Sequence, residues 1–415
     1  MNTREKFIET MTFNGKKTHP PKWEFGYWGE TLNQWYKSGL PRKNFSPIPK
    51  SYTSPSASIY TLSWNCKNPY IKNSEYPKGW VLTAGGLYSP TQGFARDRDV
   101  LDFFGMDLAQ QVVDVNFFFE PMFKLEVFED TDHSFTYMDL DGVKRIFLKE
   151  SATMATGVEW PIKDRKSWEQ LKAERLRPQD ILKRFPDNWP QQVKDYKNRD
   201  YPLALGGYPM GFFGTLAHLM GYENLFYAYY DEPDLVHDII GTFTDLWISI
   251  FEEILKDVEI DALHIWEDIS CGGGSMVSLS LMEEFMKPYY LRMTDFVKSK
   301  GVNIICVDTD GYCMDIIPFF ISCGATAMYP FESHCGMDVR EVRKNFPGLA
   351  MMGGINKSNI RFGREKIDAM LAVVKEALET GGYIPFCDHF IPPDVDFENF
   401  KYYRSRLNEM IDSIK

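Results

Sequence analysis

The chain has 415 residues, 44% hydrophobic and 25% charged, enough to bury a substantial core, which excludes a disordered protein. Its formal charge of −12, with Lys and Arg interspersed, excludes the basic footprint of a nucleic-acid binder. No apolar run approaches the ~20 residues that cross a bilayer, and no signal-peptide core follows Met1-Asn2-Thr3-Arg4-Glu5-Lys6. A cytoplasmic protein with no nucleic-acid or membrane partner is expected.

The first 75 or so residues are rich in Pro, Ser, Tyr and Trp and poor in periodicity. Pro20, Pro21, Pro41, Pro47, Pro49 and Pro55 break up helix or central strand, while Trp23 to Trp28 suits one short strand. Residues 1–75 are expected to wrap, as an extension, around a barrel formed by residues 76–415. Ser134 to Met138 and Lys144 to Leu148 alternate about Asp141-Gly142, which predicts an inserted β-hairpin. Ser167 to about Lys197 is charged and predicts short exposed helices.

From Tyr201 an apolar strand, a Gly- or Asp-bearing loop and an amphipathic helix repeat to the end of the chain. The strands are 202–207, 262–268, 302–308, 325–330, 349–354 and 382–387, and a long helix runs from Glu232 to Val258 behind Asp231-Glu232-Pro233. This rhythm means parallel strands. No Gly-rich dinucleotide fingerprint follows an early strand, so a (β/α)8 TIM barrel is expected over a doubly wound sheet. The seven cysteines lack framework spacing and read as reduced thiols, with Cys306 a core residue.

Barrel enzymes carry their chemistry after the C-terminal ends of the strands. Here those ends are Glu267-Asp268, Asp308-Thr309-Asp310-Gly311 and Cys387-Asp388-His389. Carboxylates, an imidazole and a thiol at one mouth suit metal ligation or acid–base work, although Asp268 or Asp310 taken singly has even odds of capping a helix. His218, His237 and His264 stand inside helix or strand patterns and receive no role. His334 and Cys335 follow 325–330 closely enough to be held in reserve. Gly272-Gly273-Gly274-Ser275 lacks a phosphate-loop ending and reads as a flexible loop or an ordinary turn.

The order of these segments resembles the uroporphyrinogen decarboxylase and cobalamin-dependent methyltransferase superfamily over about half the chain. The carriers are Gly206-Gly207-Tyr208-Pro209, Trp266-Glu267-Asp268, Ser278 through Phe285 to Tyr290, Asp308-Thr309-Asp310-Gly311, Gly353-Gly354-Ile355-Asn356-Lys357, and Gly381-Gly382-Tyr383-Ile384 leading to His389. Glu30-Thr31-Leu32, Trp35-Tyr36 and Gly39-Leu40-Pro41 extend it toward the N-terminus.

Decarboxylase members carry an Arg-bearing N-terminal segment where this chain has Trp23 to Trp28, and a Tyr after the Gly-x-Pro turn where it has Met210 to Thr215. Porphyrinogen decarboxylation is therefore not expected. Methyltransferase members hold zinc through His-x-Cys and a later Cys; Asp308, Asp310 and His389 stand near those positions.

The resemblance thus implies a divalent metal, zinc by analogy, on Glu267, Asp308, Asp310 and His389, which are also the candidate catalytic residues. Trp28, Tyr208, Lys357 and Cys387 are the candidate substrate-binding residues. Lys357 and Arg361 could neutralise a carboxylate or phosphate or could simply be a solvated helix start. The expected activity moves a methyl group between a small O-, N- or S-methyl substrate and a corrinoid carried by a partner protein. The alternatives are a decarboxylase of a small carboxylic acid or tetrapyrrole, and a non-catalytic binding barrel.

Overall fold

Strands buried on both faces read as continuous apolar runs, and such runs become the parallel sheet of this protein. The computed structural model describes residues 1–27, 29–41, 43, 95–124, 126–139, 141–148 and 155–414. The expected boundary near residue 75 and the candidate Trp28 lie outside the described residues.

In chain order the strands are β1 (Gln111–Val112), β2 (Glu126–Asp130), β3 (Ser134–Met138), β4 (Lys144–Leu148), β5 (Thr156–Glu159), β6 (Leu203–Gly206) and β7 (Ala262–Trp266). A two-strand ribbon of β8 (Ser270–Cys271) and β9 (Gly274–Ser275) precedes β10 (Ile304–Thr309), β11 (Ala327–Pro330), β12 (Ala350–Ile355) and β13 (Tyr383–Cys387). Seven of them form one curled parallel sheet, in the order β1-β6-β7-β10-β11-β12-β13. The six strands read from the sequence are all there. The two-residue β1, too short to leave a pattern, is an addition.

Between β13 and β1 runs the extended segment 22–27. Ile391 N donates to Gly26 O (2.9 Å) on one side and Asp107 N to Lys22 O (3.2 Å) on the other. Its ladder is the single bridge Tyr27–Ile391, so among the described residues the sheet has seven regular strands and one bridged segment, consistent with a TIM-like fold.

Alternation along each strand sorts side chains into two cores. Ala204, Ala262, Ile304, Cys306, Ala327, Tyr329, Ala350, Met352, Ile384 and Phe386 face inward. Leu203, Leu205, Leu263, Ile265, Ile305, Val307, Met328, Met351, Tyr383 and Cys387 face the surrounding helices. The inward alanines leave room at the centre, and Phe7, Met11 and Phe13 from the helix Thr3–Met11 and the residues after it fill that room, with Trp23 and Phe25. Burying each large ring there is worth about 2–3 kcal/mol.

The long helix is Pro233–Leu255, with proline in its first turn as the sequence requires. The predicted hairpin is real but belongs to a four-stranded antiparallel sheet, β2-β3-β4-β5. Its outer strands escaped notice because Thr156–Glu159 buries none of its residues and so carries no apolar pattern. No described helix is long and apolar enough to cross a membrane.

Candidate active site

Parity sorts the residues within each strand, and the turn that follows decides where the residues beyond its end point. In β7 the residues Ala262, His264 and Trp266 share the inward phase, and Glu267, just beyond the strand, lies beneath the helix Phe212–Met220. There Glu267, fully buried, accepts hydrogen bonds from the N–H groups of Phe212 (2.9 Å), Phe213 (2.7 Å) and Gly214 (3.1 Å) and from the Tyr290 phenol. Burial pushes its carboxyl up to about 6, against those four donors.

A carboxylate at a helix N-terminus satisfies N–H groups that have no partner within the helix. Both oxygens of Glu267 are thus occupied, and it is a helix anchor rather than the expected metal ligand. Glycine permits the close approach: a Cβ at Gly211 would stand 1.8 Å from Trp266 O. Cys387 is outward in phase, its fully buried thiol 3.4 Å from the Tyr403 hydroxyl, so the structure does not bring it to the mouth as a substrate contact.

Asp308, next to last in β10, is in the inward phase and takes a hydrogen bond from Tyr329 of β11. Asp268, in a left-handed turn (φ 45°), Asp310 and Glu332 gather beside it, with Gly311 N donating to Glu332 Oε2 (2.9 Å). Burial and then mutual repulsion push Asp308 and Asp310 well above the carboxylate range, and burial and Glu332 push Asp268 up to about 6. Lys357 is the cation facing this group, with Nζ 3.4 Å from Glu332 and 3.6 Å from Asp388.

Asp388 is the tie between two loops, accepting from Ser333 N (3.0 Å) and Lys357 N (3.2 Å). Burial opposes its ionisation, yet His334, Lys357 and these N–H groups hold it below its ordinary value. His389 Nε2 lies 3.6 Å from Asp310 Oδ2, too long for a hydrogen bond, and its ring packs on Phe25 at 4.8 Å. Burial, with Lys357 nearby, pushes this imidazole down to about 3 and leaves it neutral.

Of the expected quartet, then, Asp308, Asp310 and His389 gather at the mouth and Glu267 does not. A tighter donor set sits one loop further on. Glu332, His334 and Cys335 offer ligand atoms that all lie within 4.8 Å of one another. Cys335 Sγ is 3.4 Å from His334 Nε2 and 3.7 Å from Glu332 Oε2. Glu332, missed in the sequence, sits just beyond the end of β11, the same position that singled out Glu267 and Asp310.

Of the remaining candidates, Tyr208 packs edge-on against Trp266 at 4.6 Å, with its hydroxyl 2.9 Å from His218 Nδ1. Arg361 pairs with Asp394 on an exposed face, the solvated helix start. The glycine loop forms a tight β8–β9 turn anchored by Tyr312 N on Cys271 O (2.9 Å).

A curled parallel α/β sheet with titratable side chains converging beyond its strand ends is the arrangement of a barrel-type enzyme. The chain belongs to the uroporphyrinogen decarboxylase (URO-D) family, whose profile matches residues 191–410. No curated protein gives a significant match. Among solved structures it is similar to a methyltransferase from Methanosarcina mazei, with 14% identity and a TM-score of 0.55, each chain covered over 99% of its length.

Proposed function

We propose that this chain is a methyltransferase-type enzyme that moves a methyl group between a small O-, N- or S-methyl compound and a corrinoid protein, using a metal-binding barrel mouth. The observation that carries this reading is the convergence of Glu332, His334 and Cys335 beside Asp310 and His389, in a fold shared with the methanogen enzyme. Within this reading the segment 22–27 takes the eighth strand position of a TIM barrel.

The residues present fit a divalent metal. A carboxylate, an imidazole and a thiol together match the preferences of zinc. Asp268, Asp308, Asp310 and Glu332 crowd one another, and the Lys357 ammonium lies beside them. Without a metal, burial and Glu332 push the Cys335 thiol up to about 11, and a bound cation would draw it to thiolate. Such an ion supplies Lewis acidity that polarises an ether oxygen or holds a thiol acceptor as thiolate. A corrinoid on a partner protein supplies the cobalt that exchanges the methyl group.

The chain's own residues bind and orient. Phe25, Trp266 and Tyr208 line the mouth with apolar surface, and Lys357 can hold a substrate carboxylate. Asp308 and Asp310, pushed well above the carboxylate range by burial and mutual repulsion, also suit general-acid work in decarboxylation of a small acid, the second reading.

The test is metal analysis of protein purified without chelator, for wild type, Cys335→Ala and His334→Ala, followed by methylcobalamin formation from cob(I)alamin over a panel of methyl ethers, amines and thioethers. Near-stoichiometric zinc in wild type, lost in both variants, with methylcobalamin formed, is the expected result. Metal-free wild type that releases carbon dioxide from a small acid would move the assignment to the second reading.

A further inference from the structure

Asp388 follows β13, is fully buried, and offers no ligand atom to the set formed by Glu332, His334 and Cys335. It nevertheless faces that set with both oxygens. Its Oδ2 accepts from Ser333 N (3.0 Å) and Ser333 Oγ (3.3 Å) and lies 3.9 Å from His334 Nδ1. Its Oδ1 accepts from Lys357 N (3.2 Å) and lies 3.6 Å from the Lys357 ammonium. Glu332 shares both neighbours, its Oε1 being 3.4 Å from Lys357 Nζ and 3.9 Å from His334 Nδ1.

These distances divide the two nitrogens of His334. Nδ1 looks toward two carboxylates, whereas Nε2 lies 3.4 Å from Cys335 Sγ, which in turn is 3.7 Å from Glu332 Oε2. Carboxylates only accept, so the hydrogen of a neutral imidazole belongs on Nδ1 and the lone pair on Nε2, beside the thiol. An ion bound by Glu332 engages that carboxylate and leaves Asp388 as the acceptor for Nδ1–H. The His334 side chain is 53% exposed, so its ring has room to swing the roughly 1 Å that turns this approach into a hydrogen bond. Lys357 works in the other direction: its ammonium stands against Glu332, where it repels an entering cation.

We infer that Asp388 is the positioning carboxylate of this metal site, holding Nδ1–H of His334 so that Nε2 faces the ion, and holding Lys357 as the counter-cation that the ion displaces from Glu332. The ion class is a divalent cation that takes oxygen, nitrogen and sulfur together, zinc rather than magnesium or calcium. As the ion enters, the Cys335 thiol releases its proton to water, Glu332 exchanges the ammonium for the ion, and His334 keeps its Nδ1 hydrogen. The inference rests on the metal-binding reading of the mouth and deepens it, but it involves neither corrinoid nor methyl substrate.

Asp388 also ties two loops together, so the test needs readouts that a tie alone does not move. The first is the nuclear magnetic resonance spectrum of the full chain carrying ¹⁵N-labelled histidine and loaded with ¹¹³Cd, since the ion couples to the nitrogen that ligates it. The expected spectrum shows coupling through Nε2 of His334 with hydrogen on Nδ1. Coupling through Nδ1 would overturn the inference.

The second is zinc affinity, measured by competition with a chromophoric chelator. Asp388→Asn, which keeps the size and one acceptor oxygen, should weaken zinc binding by about 10–100-fold. Lys357→Met should tighten it several-fold, because the competing charge is gone while the backbone bond from position 357 to Asp388 stays. A simple tie predicts no gain from Lys357→Met, and a weaker or unchanged site there sinks the counter-cation role and the inference with it. If Asp388→Asn fails to fold, the wild-type spectrum and Lys357→Met still decide. Wild type that takes up neither zinc nor cadmium removes the metal reading itself. Ligation through Nδ1, or full affinity in Asp388→Asn, removes this inference alone and leaves the methyl-transfer reading standing.

Discussion

Replacing Glu267 by Ala separates the anchor role found here from the ligand role its strand-end position suggests. The substitution strands three helix N-terminal N–H groups and the Tyr290 phenol in a fully buried place. Each stranded buried donor costs about 1–3 kcal/mol, partly recovered where the cavity admits water. The raised carboxyl, near 6, shows that burial already offsets part of what these contacts contribute. A net loss of roughly 3–5 kcal/mol follows, on the scale of breaking a buried charged network. In a chain of this size that lowers Tm by about 3–6 °C.

Calorimetry gives the loss, and elemental analysis of the same samples gives bound zinc per folded chain. The expected outcome is a fall in Tm of that size with zinc content retained. Glu267→Gln, which keeps one acceptor oxygen but turns an amide toward the helix, should lose only about 1–2 kcal/mol. Loss of zinc with unchanged Tm in Glu267→Ala would refute the anchor and restore the ligand.

Asp268→Asn tests the crowded carboxyls. The folded pKa of Asp268 is raised from 3.8 to about 6, so its favourable contribution is complete below about pH 4 and is lost as pH rises through 6. The metal-free Asn variant should therefore match wild type near pH 4 and exceed it above pH 6 by on the order of 2 kcal/mol in denaturant titrations, and equal stability at both pH values would contradict the crowding. Arg404→Met leaves Glu24 buried beside an apolar side chain and removes the bond to Trp23 O (2.7 Å). A loss of about 3–5 kcal/mol and early proteolysis within residues 1–27 are expected, and unchanged cleavage would show that this pair does not hold the segment. Gly211→Ala places a Cβ 1.8 Å from Trp266 O, so the variant should be recovered mainly as insoluble protein, with soluble yield as the readout.

Much of the architecture was legible because it rests on short-range patterning. The apolar runs at 203–206, 262–266, 304–309, 327–330, 350–355 and 383–387 are continuous, the long helix opens with Pro233, and Asp141-Gly142 marks the hairpin turn. The strand-end rule also found Asp308, Asp310 and His389, which do gather at the mouth. Strand phase would have turned Cys387, inside β13 and one residue after the inward-facing Phe386, away from the mouth; Glu267 lies beyond its strand, and only the contact with the helix Phe212–Met220 places it. His218 was set aside as a helical packing residue, because its partner Asp141 lies 77 positions away and no local pattern joins them.

The sequence by itself determined the parallel α/β class, the element order and the mouth where chemistry belongs, since alternation, helix starts and turn residues are properties of neighbours along the chain. Only the tertiary structure decided which carboxylates serve the mouth and which serve a helix end, that Glu332, His334 and Cys335 converge, and that the inserted sheet reaches Tyr208 through His218. Those outcomes depend on distances between segments tens to hundreds of residues apart, and on burial that alters the chemistry of a side chain without altering its name.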